Sequence, residues 1–294
     1  MKPTKVWQSR PEILLMVMAA AMPIAFWAWV VLLNNFTVEV AAFTGKEIGV
    51  LQSLREVPGF LSFLVVYLLL IIAEQRLALL SLFILGVGVA LTGYFPTVIG
   101  LYITTVISSI GFHYYEACHQ SLSLQWLDKK TAPERMGLIY SVASLAKFLV
   151  LGAIFSAYLL SLSEISWRAL ANSTGLRTGL ESYQITYLFA GLATCGLALL
   201  AYILFPQFNE TVRQTRKIVL RKRYWLYYAL TFISGARRQI FIVFASFLMV
   251  EKFGYSLTQI TALFLLNAAF NIFLAPLVGK VISRIGERAA LVFE

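Results

Sequence analysis

In the stretch Gly111-Phe112-His113-Tyr114-Tyr115-Glu116-Ala117-Cys118-His119-Gln120 a carboxylate stands between two imidazoles. Helical spacing places His113, Glu116 and Gln120 on one face and His119 about a third of a turn from His113. A carboxylate beside an imidazole can exchange a proton with it, which is the machinery that proton-coupled transport needs. The plainer reading of the same residues is a structural network of hydrogen bonds or ion pairs between helices. A metal site is disfavoured, because ligands at 113, 116 and 119 spread over too wide an arc of one helix. No metal and no cofactor is expected.

Further charged groups interrupt apolar runs. Lys147 lies about 15 Å beyond Gly137 and Glu116 about 18 Å before Asp128, so a Glu116–Lys147 pair between consecutive antiparallel helices is geometrically open. Arg237 and Arg238 follow Ser234-Gly235-Ala236. Adjacent helical residues point about 100° apart, so both arginines cannot face one partner. A guanidinium stays charged and grips carboxylate or phosphate with two parallel bonds, which suits capture of an anionic solute. Pairing with acids of other helices is the structural alternative. Arg55-Glu56 is expected to act as a gate or brace between helices, or as a locally satisfied pair. Trp27 and Trp29 suit stacking on a solute, with simple packing the commoner role of such residues. Cys118 and Cys195 lie in apolar runs and form neither a disulfide framework nor a metal-type spacing.

These groups are unusual because of where they sit. Hydrophobic residues make up 60% of the 294 and charged residues only 13%, with a mean hydropathy of +0.79. A soluble domain carries about 25% charged residues, and a soluble fold of this length could not hide so much apolar surface. An ionisable side chain at bilayer depth costs a few kcal/mol or more, so each one needs a partner or a purpose.

The elements that carry them are membrane helices. The run Ile13–Val38 has no charge over 26 residues and reads as a retained first span rather than a cleaved leader. Expected spans are Ile13–Leu33, Ile48–Ala73, Leu77–Thr92, Thr97–Trp126, Gly137–Leu160, Tyr183–Phe205, Tyr224–Val250 and Thr258–Ile282. Leu77–Tyr115 would form a single helix of roughly 58 Å, about twice the hydrocarbon thickness, so it must fold back at Gly93-Tyr94-Phe95-Pro96. With a cytoplasmic N-terminus, sixteen of the 24 lysines and arginines fall in inside segments and four outside: Lys46, Arg168, Arg177 and Lys252. That asymmetry sets the orientation and explains the net charge of +10 without nucleic acid. The basic stretch Gln207–Arg223 is the expected boundary, dividing the chain into 1–206, a linker 207–223, and 224–294. Arg76-Leu77-Ala78-Leu79-Leu80 and Arg288-Ala289-Ala290-Leu291-Val292 recur 212 residues apart, after the second and eighth helices, a weak parallel repeat.

The loop Gly279-Lys280-Val281-Ile282-Ser283-Arg284-Ile285-Gly286-Glu287-Arg288 resembles the signature G-x-x-x-D-R-x-G-R-R of the major facilitator superfamily. Gly279, Arg284, Gly286 and Arg288 match; Ser283 stands where the acid is expected and Glu287 replaces an arginine. The corresponding loop of the first half, Ala73-Glu74-Gln75-Arg76, departs widely from the signature. The resemblance implies an all-α membrane protein with a six-helix N-terminal bundle plus the first two helices of a second bundle. It further implies two bundles rocking about a central cavity lined by the first, fourth, seventh and tenth helices. A full member has twelve helices, so the chain is expected to be a C-terminally incomplete form with eight and the start of a ninth.

The function expected is secondary active transport by alternating access, as symport or antiport, of a small solute, with an organic anion as the candidate class and protons as a candidate coupling ion. The setting is the lipid of a cell (inner) membrane. The chain holds no G-x-x-x-x-G-K-[ST] loop, and no H-E-x-x-H or G-x-S-x-G pattern, so neither an ATP-driven pump nor an enzyme is expected. A non-transporting sensor or scaffold with a transporter-like fold is the alternative, and a membrane-embedded enzyme the weaker one.

Overall fold

The computed structural model describes residues 10–162, 180–208, 221–239 and 257–286, together with 249, 253, 255, 289 and 290. The described residues form α1 (Pro11–Glu39), α2 (Gly45–Phe60), α3 (Val65–Leu68), α4 (Glu74–Thr92), α5 (Val98–Trp126), α6 (Ala132–Leu162), α7 (Leu180–Leu204), α8 (Trp225–Gln239) and α9 (Leu257–Ile285). Among these residues seven helical stretches are long and apolar enough to cross a membrane, with α2 and α3 counted as one. The expected span Tyr224–Val250 is described as a 3-10 turn at Tyr224, as α-helix over Trp225–Gln239 and as helix again at Met249; residues 240–248 and 250 lie outside the described residues. Of the stub after Arg288, only Ala289 and Ala290 are described, both helical.

Local chemistry fixes several helix ends. A capping box opens α2: the Thr44 backbone N–H donates to Glu47 Oε2 at 2.9 Å, and the Thr44 hydroxyl bonds the same carboxylate. Thr97 caps α5 by accepting from Gly100 N–H at 3.1 Å. The turn between α4 and α5 falls at the expected Gly93–Pro96. Two boundaries differ from expectation. The second span does not run as one regular helix to Ala73: it passes into a 3-10 turn at Leu61–Leu64 and ends at Leu68. Pro58 and Gly59 just before the break explain it, since proline removes a ladder donor and glycine weakens a helix interior. Conversely, α6 begins five residues before Gly137. Pro133 and Glu134 in the segment read as a loop are residue types that helix N-termini accept.

The most central helix is α1, which packs against α4, α5, α6, α7 and α9. The other main contacts are α4 with α5 and α7, α2 with α5, and α6 with α9. Without a hydrophobic drive between helices in lipid, close approach depends on small residues. A Cβ on Gly111 would overlap Leu85 N, and one on Gly191 would overlap Gly86 O. Where α6 meets α9, a Cβ on Gly137 would reach Ala275 O at 2.7 Å and one on Gly279 would reach Pro133 O at 2.6 Å. Ser141 adds a hydrogen bond from its hydroxyl to Ile272 O at 2.7 Å along the same line.

Two signature glycines acquire physical reasons here. Gly279 lets the backbones of α6 and α9 touch. Gly286 follows α9 with φ +85, a left-handed conformation that glycine adopts without a Cβ penalty. Arg284 is exposed in the last turn of α9, where a cation suits the helix dipole. Arg288 lies outside the described residues.

Candidate functional site

A cavity of about 270 Å³ opens among α1, α2, α4, α5 and α6. From α1 come Met22, Phe26, Trp27 and Trp29; from α2, Arg55 and Glu56; from α4, Leu85 and Val89. From α5 come Ser108, Ser109, Phe112, His113 and Glu116, and from α6 comes Tyr140. Four of the ionisable groups singled out above, Arg55, Glu56, His113 and Glu116, therefore line one cavity.

Arg55 is buried and forks onto its neighbour. Its Nε and NH2 donate to Glu56 Oε1 at 3.0 and 2.8 Å. Sequence neighbours on a helix diverge, yet the long arginine side chain folds across to the shorter acid, so the pair is satisfied locally. Its guanidinium carbon also lies 5.8 Å from the Trp29 ring centroid, a cation–π contact with α1. The Ser109 hydroxyl donates to the Arg55 carbonyl and ties α5 to α2 at this level. Thus the pair is local in its ionic bond and reaches α1 and α5 through ring and backbone contacts.

His113 stands over Gly59. A Cβ there would lie 2.7 Å from imidazole Cε1 and 2.9 Å from Nε2, so only glycine leaves the ring its place. Phe112 stacks on Phe26 with centroids 4.3 Å apart and planes at 12°. Tyr114 OH donates to Leu61 O at 3.4 Å, in the 3-10 turn that follows Gly59. The irregular end of α2 is therefore held by the same helix that carries His113 and Glu116.

The expected grouping on α5 divides. His113 and Glu116 line the cavity; Gln120, one turn further on, is exposed and takes no part in the wall. About 6 Å of axial rise carries it past the cavity. His119 faces α1: its Nε2 lies 3.1 Å from Leu15 O, and its ring lies 5.2 Å from that of Tyr115. It belongs to helix packing rather than to the cavity. Arg237 and Arg238 fall within α8, and their side chains lie outside the described residues.

Lys147 is buried against Trp27 and is not among the residues that line the cavity. Its Nζ lies 3.5 Å from the Trp27 ring centroid and 5.4 Å from that of Phe264, and it donates to Asn267 Oδ1 at 3.2 Å. Its partners among the described residues thus come from α1 and α9 rather than from the neighbouring acid that depth alone suggested. Asn271 also donates to Asn267, at 2.8 Å to the carbonyl and 3.3 Å to Oδ1. Asn267 and Asn271 were not anticipated, although two asparagines one turn apart in an apolar helix are a readable signal.

Helix α1 carries a second polar insertion beside the cavity. The Thr194 hydroxyl of α7 accepts from Ala25 N–H at 3.2 Å and donates to Ala21 O at 3.0 Å, a bridge between backbone positions one turn apart. Met22 and Phe26 flank that bridge. The Trp29 indole N–H is buried, with no acceptor among the described residues. A donor in a cavity wall without an acceptor is unfavourable by about 1–3 kcal/mol unless a ligand or water supplies one.

A family model described as Major Facilitator Superfamily matches residues 13–294. The chain belongs to the Major Facilitator Superfamily. No curated protein matches it. Membership makes this facilitator chain an integral membrane protein and a membrane transporter, a class whose members are carriers rather than enzymes. The cavity is lined by residues of α1, α2, α4, α5 and α6, from Met22 to Tyr140.

Proposed function

We propose that this facilitator is a secondary active transporter that moves a small organic solute across the cytoplasmic membrane by alternating access. The observation that supports this most is the gathering of Arg55, Glu56, His113 and Glu116 on the wall of one cavity enclosed by five helices. Apolar faces from Phe26, Trp27 and Phe112 would cover the body of a solute. The unsatisfied Trp29 N–H would meet one of its oxygens.

Glu116 and His113 are the candidate coupling pair, three residues apart on α5 and on the same wall. Glu116 would take up a proton on one side of the membrane and release it on the other, with the imidazole as relay. Segment 207–223 would link bundles 1–206 and 224–294, and the N-terminus would be cytoplasmic. An organic anion is the solute class favoured by the sequence, because in the interior of the expected spans the cations Arg55, Lys147, Arg237 and Arg238 outnumber the acids Glu56 and Glu116.

Reconstitution into proteoliposomes tests the reading. A proton gradient, inside alkaline, should drive accumulation of a transported solute, and dissipating it with a protonophore should abolish accumulation. A protein that binds solutes but passes none under any gradient would be a sensor or scaffold, and the proposal would fail.

A further inference from the structure

The ammonium of Lys147 occupies an unusual place for a charge. It lies near the middle of α6, is only 7% exposed, and has two aromatic rings and one amide oxygen as neighbours. No carboxylate lies within 4 Å of it among the described residues. An ammonium has three donors, and among the described residues this one has a single hydrogen-bond acceptor, Asn267 Oδ1. A cation–π contact offsets part of the desolvation but leaves a positive charge at membrane depth. The amide that holds it belongs to Asn267, which is exposed. A ligand could therefore reach the charge by displacing one side chain.

We propose that Lys147, framed by Trp27, Phe264 and Asn267, is the anion-holding end of the solute site, and that the solute is a monocarboxylate with a flat apolar body. This rests on the transporter reading and names its substrate class. A single ammonium balances a single negative charge, so a dianion is disfavoured. The carboxylate takes the place of Asn267 Oδ1 on Nζ and keeps the neighbouring amide as a second donor. The ring of Trp27 has one face on Lys147 and also lines the cavity, so a solute anchored at Lys147 can extend along the indole into the apolar wall formed with Phe26 and Phe112. The site thereby spans α1, α6 and α9, and a bound anion would strengthen the contact between α9 and the helices that precede it.

The test compares three probes of the same ring and different charge: benzoate, benzamide and benzylamine. Each is titrated against the full chain in detergent at millimolar concentration, with binding read by calorimetry or tryptophan fluorescence. Benzoate should bind and the neutral and cationic probes should bind about tenfold or more weakly, the size of one charge-assisted hydrogen bond. Lys147→Met, which suits an apolar site, should remove that preference and leave benzamide unchanged; Lys147→Arg should keep it. Should Lys147→Met not fold, Asn267→Asp keeps the lysine but places an internal carboxylate on it, and should exclude benzoate where Asn267→Ala does not. Absence of a preference for benzoate, or its survival in both Lys147→Met and Asn267→Asp, overturns the proposal. Benzoate flux into proteoliposomes is a separate readout. Lys147-dependent binding without flux supports the site and overturns the transporter reading instead.

Discussion

Adding one methyl group at the seam between α6 and α9 should destabilise the protein, and adding the same group elsewhere should stabilise it. A Cβ on Gly279 would stand 2.6 Å from the carbonyl oxygen of Pro133, a backbone atom that cannot swing aside. Ordinary contact at that atom needs about 0.8 Å more, so the two helices must separate along their length or α9 must bend. Overpacking of this kind costs about 1–3 kcal/mol. Replacing a helical glycine by alanine returns about 0.5–1 kcal/mol of backbone entropy, so Gly279→Ala should come out as a net loss. Gly196 in α7 is the internal control, because a Cβ there meets nothing within 4 Å. Gly196→Ala keeps the entropic gain without the clash.

Unfolding of both variants and the parent is followed by tryptophan fluorescence during heating in one detergent. At about 2–4 °C per kcal/mol, Gly279→Ala should lower the apparent Tm by several degrees, while Gly196→Ala should raise it by about 1–4 °C. Gly279→Ala should also reduce solute flux, because the seam lies between two helices expected to belong to different bundles. If both substitutions shift the Tm in the same direction, the close contact at Gly279 is not what holds α6 and α9 together, and the physical reading of that signature glycine fails.

Other consequences can be checked independently. Glu116→Gln should abolish proton-driven accumulation in proteoliposomes while sparing solute exchange; unchanged pH-driven uptake would reduce Glu116 to a structural role. Gly59→Val should displace the His113 ring and lower flux several-fold, and adding His113→Ala to that variant should cost nothing more; additive losses would show that Gly59 acts elsewhere. Single cysteines at Lys46 and Lys129 should react with an impermeant reagent from the outside and the inside respectively, and the reverse pattern would invert the proposed orientation.

Length and hydropathy made most of the fold legible. An uncharged run of known length must cross the bilayer once or fold back, and Gly93–Pro96 showed where the long one turns. The errors fell where that logic has no purchase. Pro133 and Glu134 look like loop residues to a charge count, yet they suit the first turn of α6. The break after Pro58 and Gly59 lay within an apolar stretch, where hydropathy is the same for regular and irregular backbone.

The site was legible in one coordinate only. Rise per residue gives the depth of a side chain, so the sequence could say that Glu116 and Lys147 lie at comparable levels of neighbouring helices. It could not say which way either faces, because azimuth depends on which helices pack against α5 and α6. In the structure α2 covers the Glu116 side of α5, and α1 with α9 covers the Lys147 side of α6. Trp27, 120 residues before Lys147 in the chain, takes the ammonium on its ring and also lines the cavity that holds the acids. Lys147 draws its hydrogen-bond acceptor from α9, equally far along the chain in the other direction. A buried cation whose described partners are neutral follows from that separation of faces, and it is what makes an anionic solute a chemically sensible guest. The same logic explains why Arg55-Glu56 is different: its ionic bond joins adjacent residues, so no packing decision was needed to satisfy it.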